Sequence, residues 1–165
     1  MALTKITQSG ITNGAVTAEK IASGVIGGTP AFYVSLGGDG QTLANATVTK
    51  VSYAVEHIDS DGKYDTSNYR FTPTVAGTYF FFMTYRVAAN NQNINARILK
   101  NGTITNFSIF VGTTSQASTF VHTMLVLDDN DYVEGWVEQN SGGNATMYGD
   151  NAGTGSNIFG GYRVY

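Results

Sequence analysis

Cysteine is absent from this chain and proline occurs only twice. Without thiols there is no disulfide, no thiolate nucleophile and no Cys-ligated zinc, and the redox compartment stays open. Charge is scarce: 13% of residues are Asp, Glu, Lys or Arg, and the net charge is −3. A phosphate backbone needs Lys and Arg in patches, so no nucleic-acid partner is expected. Long apolar runs are missing too. The longest, Tyr79–Met83, is strand-length, far short of the roughly 18 residues that span a bilayer, so membrane insertion is not expected. MALTKITQSG lacks an apolar h-region, which predicts synthesis in a cytoplasm without a signal peptide; an outside role then needs another exit, such as cell lysis. No Gly-x-Ser-x-Gly elbow, phosphate-binding glycine loop or His-Glu-x-x-His occurs, so no enzyme is expected.

What is present is β. The 165 residues, 42% of them hydrophobic, allow one domain plus a short extension. Residues 1–30 have no aromatic residue and are broken by glycines at 10, 14, 24, 27 and 28. They read as an extended N-terminal arm ordered only in an assembly, with a plain disordered tail as the alternative, and Thr17 could cap a single helical turn over 17–22. From Ala31 onward Val, Thr, Tyr and Phe dominate, punctuated by turn residues such as Gly37–Gly40, Asp59–Gly62, Asn101-Gly102 and Ser141–Asn144. Ten strands are predicted over 32–36, 48–56, 69–71, 78–87, 94–100, 107–111, 117–127, 132–139, 146–148 and 157–165. Strands without helices fit an antiparallel sandwich or jelly roll.

The segment YRFTPTVAGTYFFFMTYRV (Tyr69–Val87) is apolar on both faces. Phe80 and Phe82 alternate with Tyr79, Phe81, Met83 and Tyr85. A sheet with one wet face would be polar at every second position. The second face therefore needs a second burial surface, and another copy of the chain is the expected one. Tyr79, Phe81, Met83, Tyr85, Phe120, His122, Phe159 and Tyr165 are the expected interface residues.

The distributed motifs resemble the globular domain of the C1q/tumour-necrosis-factor-like superfamily. Phe32-Tyr33-Val34 is similar to its opening strand, and Ile58-Asp59 with Gly62-Lys63-Tyr64-Asp65 to its F-D-x-x-G-x-Y-D segment. Tyr69–Pro73 with Gly77–Phe81 resembles its F-x-x-P-x-x-G-x-Y-x-F signature. Lys100-Asn101-Gly102 is similar to its hairpin, Leu125–Leu127 with Asp131–Val133 to its L-x-L-x-x-G-D-x-V turn, and Phe159–Tyr162 to its closing F-x-G-F. Asn130 stands where that turn has Gly, a position where Asn tolerates left-handed geometry. The resemblance implies a ten-stranded jelly roll over 31–165 that assembles as a homotrimer. No Gly-X-Y stalk is present, so the arm of 1–30 has to supply any stem. Within the arm, Ala2–Ile6, Gly14–Thr17 and Lys20–Val25 resemble the Gly-punctuated starts of fibre and appendage proteins of tailed bacteriophages, notably marine and cyanobacterial ones.

Together these imply a virion-surface trimeric fibre or knob that attaches to other virion proteins through residues 1–30 and recognises a host-surface glycan. A capsid-decoration, head-fibre or cement protein is the alternative, and a bacterial C1q-like lectin or spore-surface protein the second. Trp136, Asn140, Asn144, Tyr148, Asp150 and Asn151 are the candidate glycan ligands, since rings stack on sugars and amides bond hydroxyls; a lone Trp in a sandwich strand also suits a core or interface. Asp59, Asp61 and Asp65 flank one turn, and Asp128, Asp129 and Asp131 another. Asp59, Asp61, Asp128 and Asp131 are the candidate calcium ligands, and some C1q-like trimers carry calcium near the apex; Asp is equally an ordinary turn-former. No other cofactor is expected. His57, beside Glu56 and Asp59, reads as a solvated strand end and His122 as a packed or interface residue.

Overall fold

The computed structural model describes residues 30–88, 92–112, 116–149 and 156–165. They form thirteen strands in two antiparallel sheets and no helix. Sheet A runs β2 (Gln41–Leu43), β12 (Ala145–Met147), β7 (Gly77–Ala88), β13 (Ile158–Arg163), β1 (Ala31–Ser35), β4 (Val55–Asp59), with β10 (Gln116–Leu127) on the other side of β7. Sheet B runs β5 (Tyr64–Asp65), β6 (Arg70–Phe71), β11 (Val133–Gln139), β8 (Gln92–Lys100), β9 (Thr103–Gly112), with β3 (Thr49–Lys50) also on β11. The stretch predicted as one strand over 48–56 is two. β3 belongs to sheet B and β4 to sheet A, so 51–54 carries the chain between the layers. β2 and β5 are too short for periodicity to reveal, which is why thirteen strands stand where ten were expected.

The core lies between the sheets. Phe32 stacks on Phe71 at 4.6 Å between centroids and meets Phe159 edge-on at 5.0 Å. Tyr79, Phe81, Met83 and Tyr85 from β7 complete it, all at 0% exposure. β13 crosses β7 at Gly160-Gly161, where a Cβ on Gly161 would come within 2.6 Å of the Phe81 ring. The missing side chains let both Phe81 and Phe82 lie across that strand. Asn101 and Gly102, with φ of 51° and 77°, make the tight hairpin between β8 and β9 that Asn-Gly favours.

Polar side chains close the ends. Asn157, fully buried, accepts from the Arg86 amide (2.8 Å) and donates to the carbonyls of Arg86 and Tyr148 (both 2.9 Å), standing in for a missing ladder rung. Buried Gln139 donates to the Gly143 carbonyl (2.8 Å) and accepts from the Ser141 amide and hydroxyl. Where β8 and β9 face β10 the sandwich is laced by side chains: Asn106 to the His122 carbonyl (2.6 Å), Lys100 to the Val126 carbonyl (2.8 Å), and Ser108 with Thr119 (2.6 Å). The domain is entered and left at one corner, since the Arg163 amide donates to the Pro30 carbonyl at 2.8 Å.

Candidate functional site

The outer face of sheet A is aromatic and open. Register places His122 opposite Phe82 and Met124 opposite Phe80. Tyr162 lies across β13 from Phe80, their rings 5.6 Å apart, and Tyr33 and Phe82 approach to 6.4 Å. His122 sits against Phe120 (5.3 Å) and Phe80 (6.0 Å). Phe120, Met124 and Val126 are exposed by 50%, 55% and 70%, an outward apolar patch of the kind that marks association surfaces.

Five of the eight residues expected at a subunit interface are placed elsewhere. Tyr79, Phe81, Met83, Tyr85 and Phe159 are fully buried between the sheets, where no neighbour can reach them. Alternation separates the faces of a strand but does not say which one turns inward. Phe120 and His122 are on the outer face and Tyr165, beyond the end of β13, is exposed; the outer face also carries Tyr33, Phe80, Phe82 and Tyr162, which the expected set did not include. The signal was in β7 itself: Thr84 and Arg86 share the face of Phe80 and Phe82, whereas the opposite face has no polar group except phenol hydroxyls.

The outer face of sheet B has a different character. One row across four strands reads Lys50, Trp136, Arg97, Phe107. Beside it lie Glu134, Leu99 and Ile104 on one flank, and Glu138, Asn95 and Ile109 on the other. Lys50 bonds Glu134 at 2.5 Å, and the Trp136 indole N–H donates to the other Glu134 oxygen at 2.9 Å. Arg97 is paired with Glu138. A hollow of 270 Å³ opens over this face, lined by Asn95, Arg97, Ile104, Phe107 and Ile109.

The residues expected to hold a glycan are not gathered in one place. Trp136 is on this sheet-B face. Tyr148 is against sheet A, its ring under the Arg86 guanidinium at 4.6 Å. Asn140 and Asn144 are exposed on the link from β11 to β12, which is tied to Asn45 through the Gly142 amide at 2.8 Å. Asp150 and Asn151 lie outside the described residues, as do positions 1–29 of the arm.

The two acidic turns meet at one end of the molecule, where Asp65 and Asp129 line a polar hollow of 320 Å³ with Lys63, Arg70 and Tyr64. Their carboxylates are engaged in holding the turns. Asp59 accepts from the Tyr64 amide (2.7 Å), Asp61 from the Ser60 hydroxyl (2.9 Å), and Asp65 from Asn68 and the Ser67 amide. Asp131 accepts from Lys100 (2.7 Å), the Asp128 amide (2.8 Å) and Asn101 (2.6 Å). The Lys100 hydrogen bond, more than any other contact, pulls its pKa down to about 2. Among the described residues no three carboxylates or histidines converge as a metal site would require.

A C1q domain model matches residues 31–164. The chain belongs to the C1q domain family. Similar solved structures include the globular domain of zebrafish complement 1qA protein, 17% identical over 82% of this chain and 98% of that one, with a TM-score of 0.59. Murine APRIL, crystallised at pH 5.0, is 8% identical over 82% of this chain and 99% of its own, at a TM-score of 0.63. At such identities the likeness is one of fold. No curated protein sequence matches.

His57 shares a hydrogen bond with the Ser35 hydroxyl at 2.8 Å and leans on Tyr33, while Glu56, its strand neighbour, points to the other face. Three core phenols, Tyr53, Tyr64 and Tyr85, have hydroxyls without a partner among the described residues. Desolvation drives all three pKa values upward, so they stay neutral at any physiological pH.

Proposed function

We propose that this C1q domain is the knob of a non-enzymatic, homotrimeric virion-surface fibre, anchored through residues 1–30 and recognising a host-surface glycan. The observation that carries the reading is the outer face of sheet A, where Phe120, Met124, Val126 and Tyr162 stand 46–70% exposed around half-buried Phe80 and Phe82. Burial of one large apolar side chain is worth about 1.5–3 kcal/mol, so this face gains most by meeting copies of itself around an axis. C1q-type domains commonly close as homotrimers, which supports three copies over two. The arm's resemblance to phage appendage proteins supports the virion. Weak sites on one trimer, repeated over a particle, then give avidity.

Light scattering at micromolar concentration tests the assembly. The expected mass is three times 17.6 kDa, and a value near the single-chain mass refutes it. Imaging of particles that carry the protein tests the rest: trimers at the tail support host recognition, and trimers over the head indicate capsid decoration. Deleting residues 1–28 is expected to strip the protein from the particle.

A further inference from the structure

We propose that the outer face of sheet B holds a site for a single neutral pyranose, built on Arg97, Asn95, Glu138 and Phe107. This rests on the reading of the protein as a displayed multivalent binder, and names the site and the ligand class. Adjacent strands β8 and β9 set Arg97 directly against Phe107 and Asn95 against Ile109. The hollow above them is 270 Å³, just below the lower end of pockets for drug-sized ligands, about 300–1,000 Å³. It suits one sugar ring and not an extended chain.

The walls and floor differ in kind, as a sugar requires. Ile104, Phe107 and Ile109 keep 50–56% of their surface exposed, offering an apolar wall to the C–H face of a pyranose. The floor carries the Arg97–Glu138 pair, with Asn95 Nδ2 donating to the same carboxylate at 3.3 Å. Asn95 Oδ1 has no partner among the described residues. An acceptor without a donor costs free energy, and because Asn95 Oδ1 is buried it meets a sugar hydroxyl only when the Asn95 side chain turns toward the hollow.

Charge selects within the class. Arg97 is matched by Glu138 and Lys50 by Glu134, so the face presents no spare cation to a sulfate, phosphate or carboxylate. A neutral sugar packs over these matched pairs without leaving an unpaired charge. The site lies on the opposite side of the sandwich from the outer face of sheet A. Self-association through that face leaves three copies of the site turned outward.

Trp136, the only tryptophan, is the direct cross-strand neighbour of Arg97, so its fluorescence reports on the floor. The full chain is titrated with methyl glycosides of glucose, galactose, mannose and N-acetylglucosamine, with glucuronate and inorganic phosphate alongside. A saturable change in Trp136 emission with at least one neutral glycoside is expected, and none with the two anions. Asn95→Ala and Phe107→Ala are each expected to weaken it about tenfold, with unchanged thermal midpoint and light-scattering mass. No saturable response to any neutral glycoside overturns the inference, as does a response to the anions alone or one that both variants retain. A trimer that ignores sugars defeats this inference only; a monomer that binds them defeats the assembly only.

Discussion

Tyr53, fully buried in the core, shows how burial and bonding separate at single residues. Its hydroxyl lies against no acceptor or donor among the described residues, so the ring contributes packing while the oxygen pays desolvation without return. Tyr53→Phe is therefore expected to be neutral or to stabilise by up to about 1 kcal/mol in urea unfolding, an unusual sign for a core substitution. Asp131 behaves in the opposite way. Its pKa is depressed to about 2, first by the Lys100 hydrogen bond and then by the Asp128 amide and Asn101. A depressed carboxylate adds stability that is fully present above its unfolded pKa and is lost as pH falls through the folded one. Asp131→Asn should cost on the order of 1 kcal/mol at pH 7. The difference from the parent should fade between about pH 4 and pH 2, and a pH-independent gap in chemical denaturation would count against the Lys100 contact as its origin.

At the scale of strands, β7 organises the molecule, pairing with β10 on one edge and with β12 and β13 on the other. Asn157 keeps that second edge continuous by bonding the Arg86 backbone on both sides of its amide. Asn157→Leu, close in size but without those bonds, is expected to cost about 2–4 kcal/mol, because it leaves buried backbone groups unpaired; a thermal midpoint within one or two degrees of the parent would contradict the role. Long strands such as β7, β8 and β10, and the Asn101-Gly102 hairpin, were legible in the sequence because alternation and turn chemistry run over many residues. β2 and β5 carry too few residues for a period, and the break between β3 and β4 reflects Val51 and Tyr53 turning into the core while the chain changes sheets, which no local pattern announces. The inner and outer faces of β7 were distinguishable by Thr84 and Arg86, yet the aromatic density on both sides masked that cue. The hollow on sheet B was not legible either, since Asn95 and Arg97 meet Ile109 and Phe107 only through the pairing of β8 with β9, and Ile104 joins them past the bulge between Ile98 and Leu99.

For the whole molecule, the two faces of sheet A make opposite predictions for the same kind of change. Phe120→Glu places a charge on the exposed side of sheet A and is expected to yield a folded chain with a mass near 17.6 kDa. Phe81→Glu places one in a site with 0% exposure and is expected to abolish folding, at a cost of several kcal/mol. Circular dichroism with light scattering distinguishes the two, and a folded trimer from Phe120→Glu would remove sheet A from the assembly. The position of β1 in sheet A has a mechanical corollary. The arm leads into β1, and β1 is not at a margin: it is bonded along its length to β13 on one side and β4 on the other. Tension along the strand therefore shears two ladders at once instead of unzipping one rung after another. In the proposed display, a load arriving through residues 1–30 would meet this doubled ladder first, and the domain would resist being pulled open there.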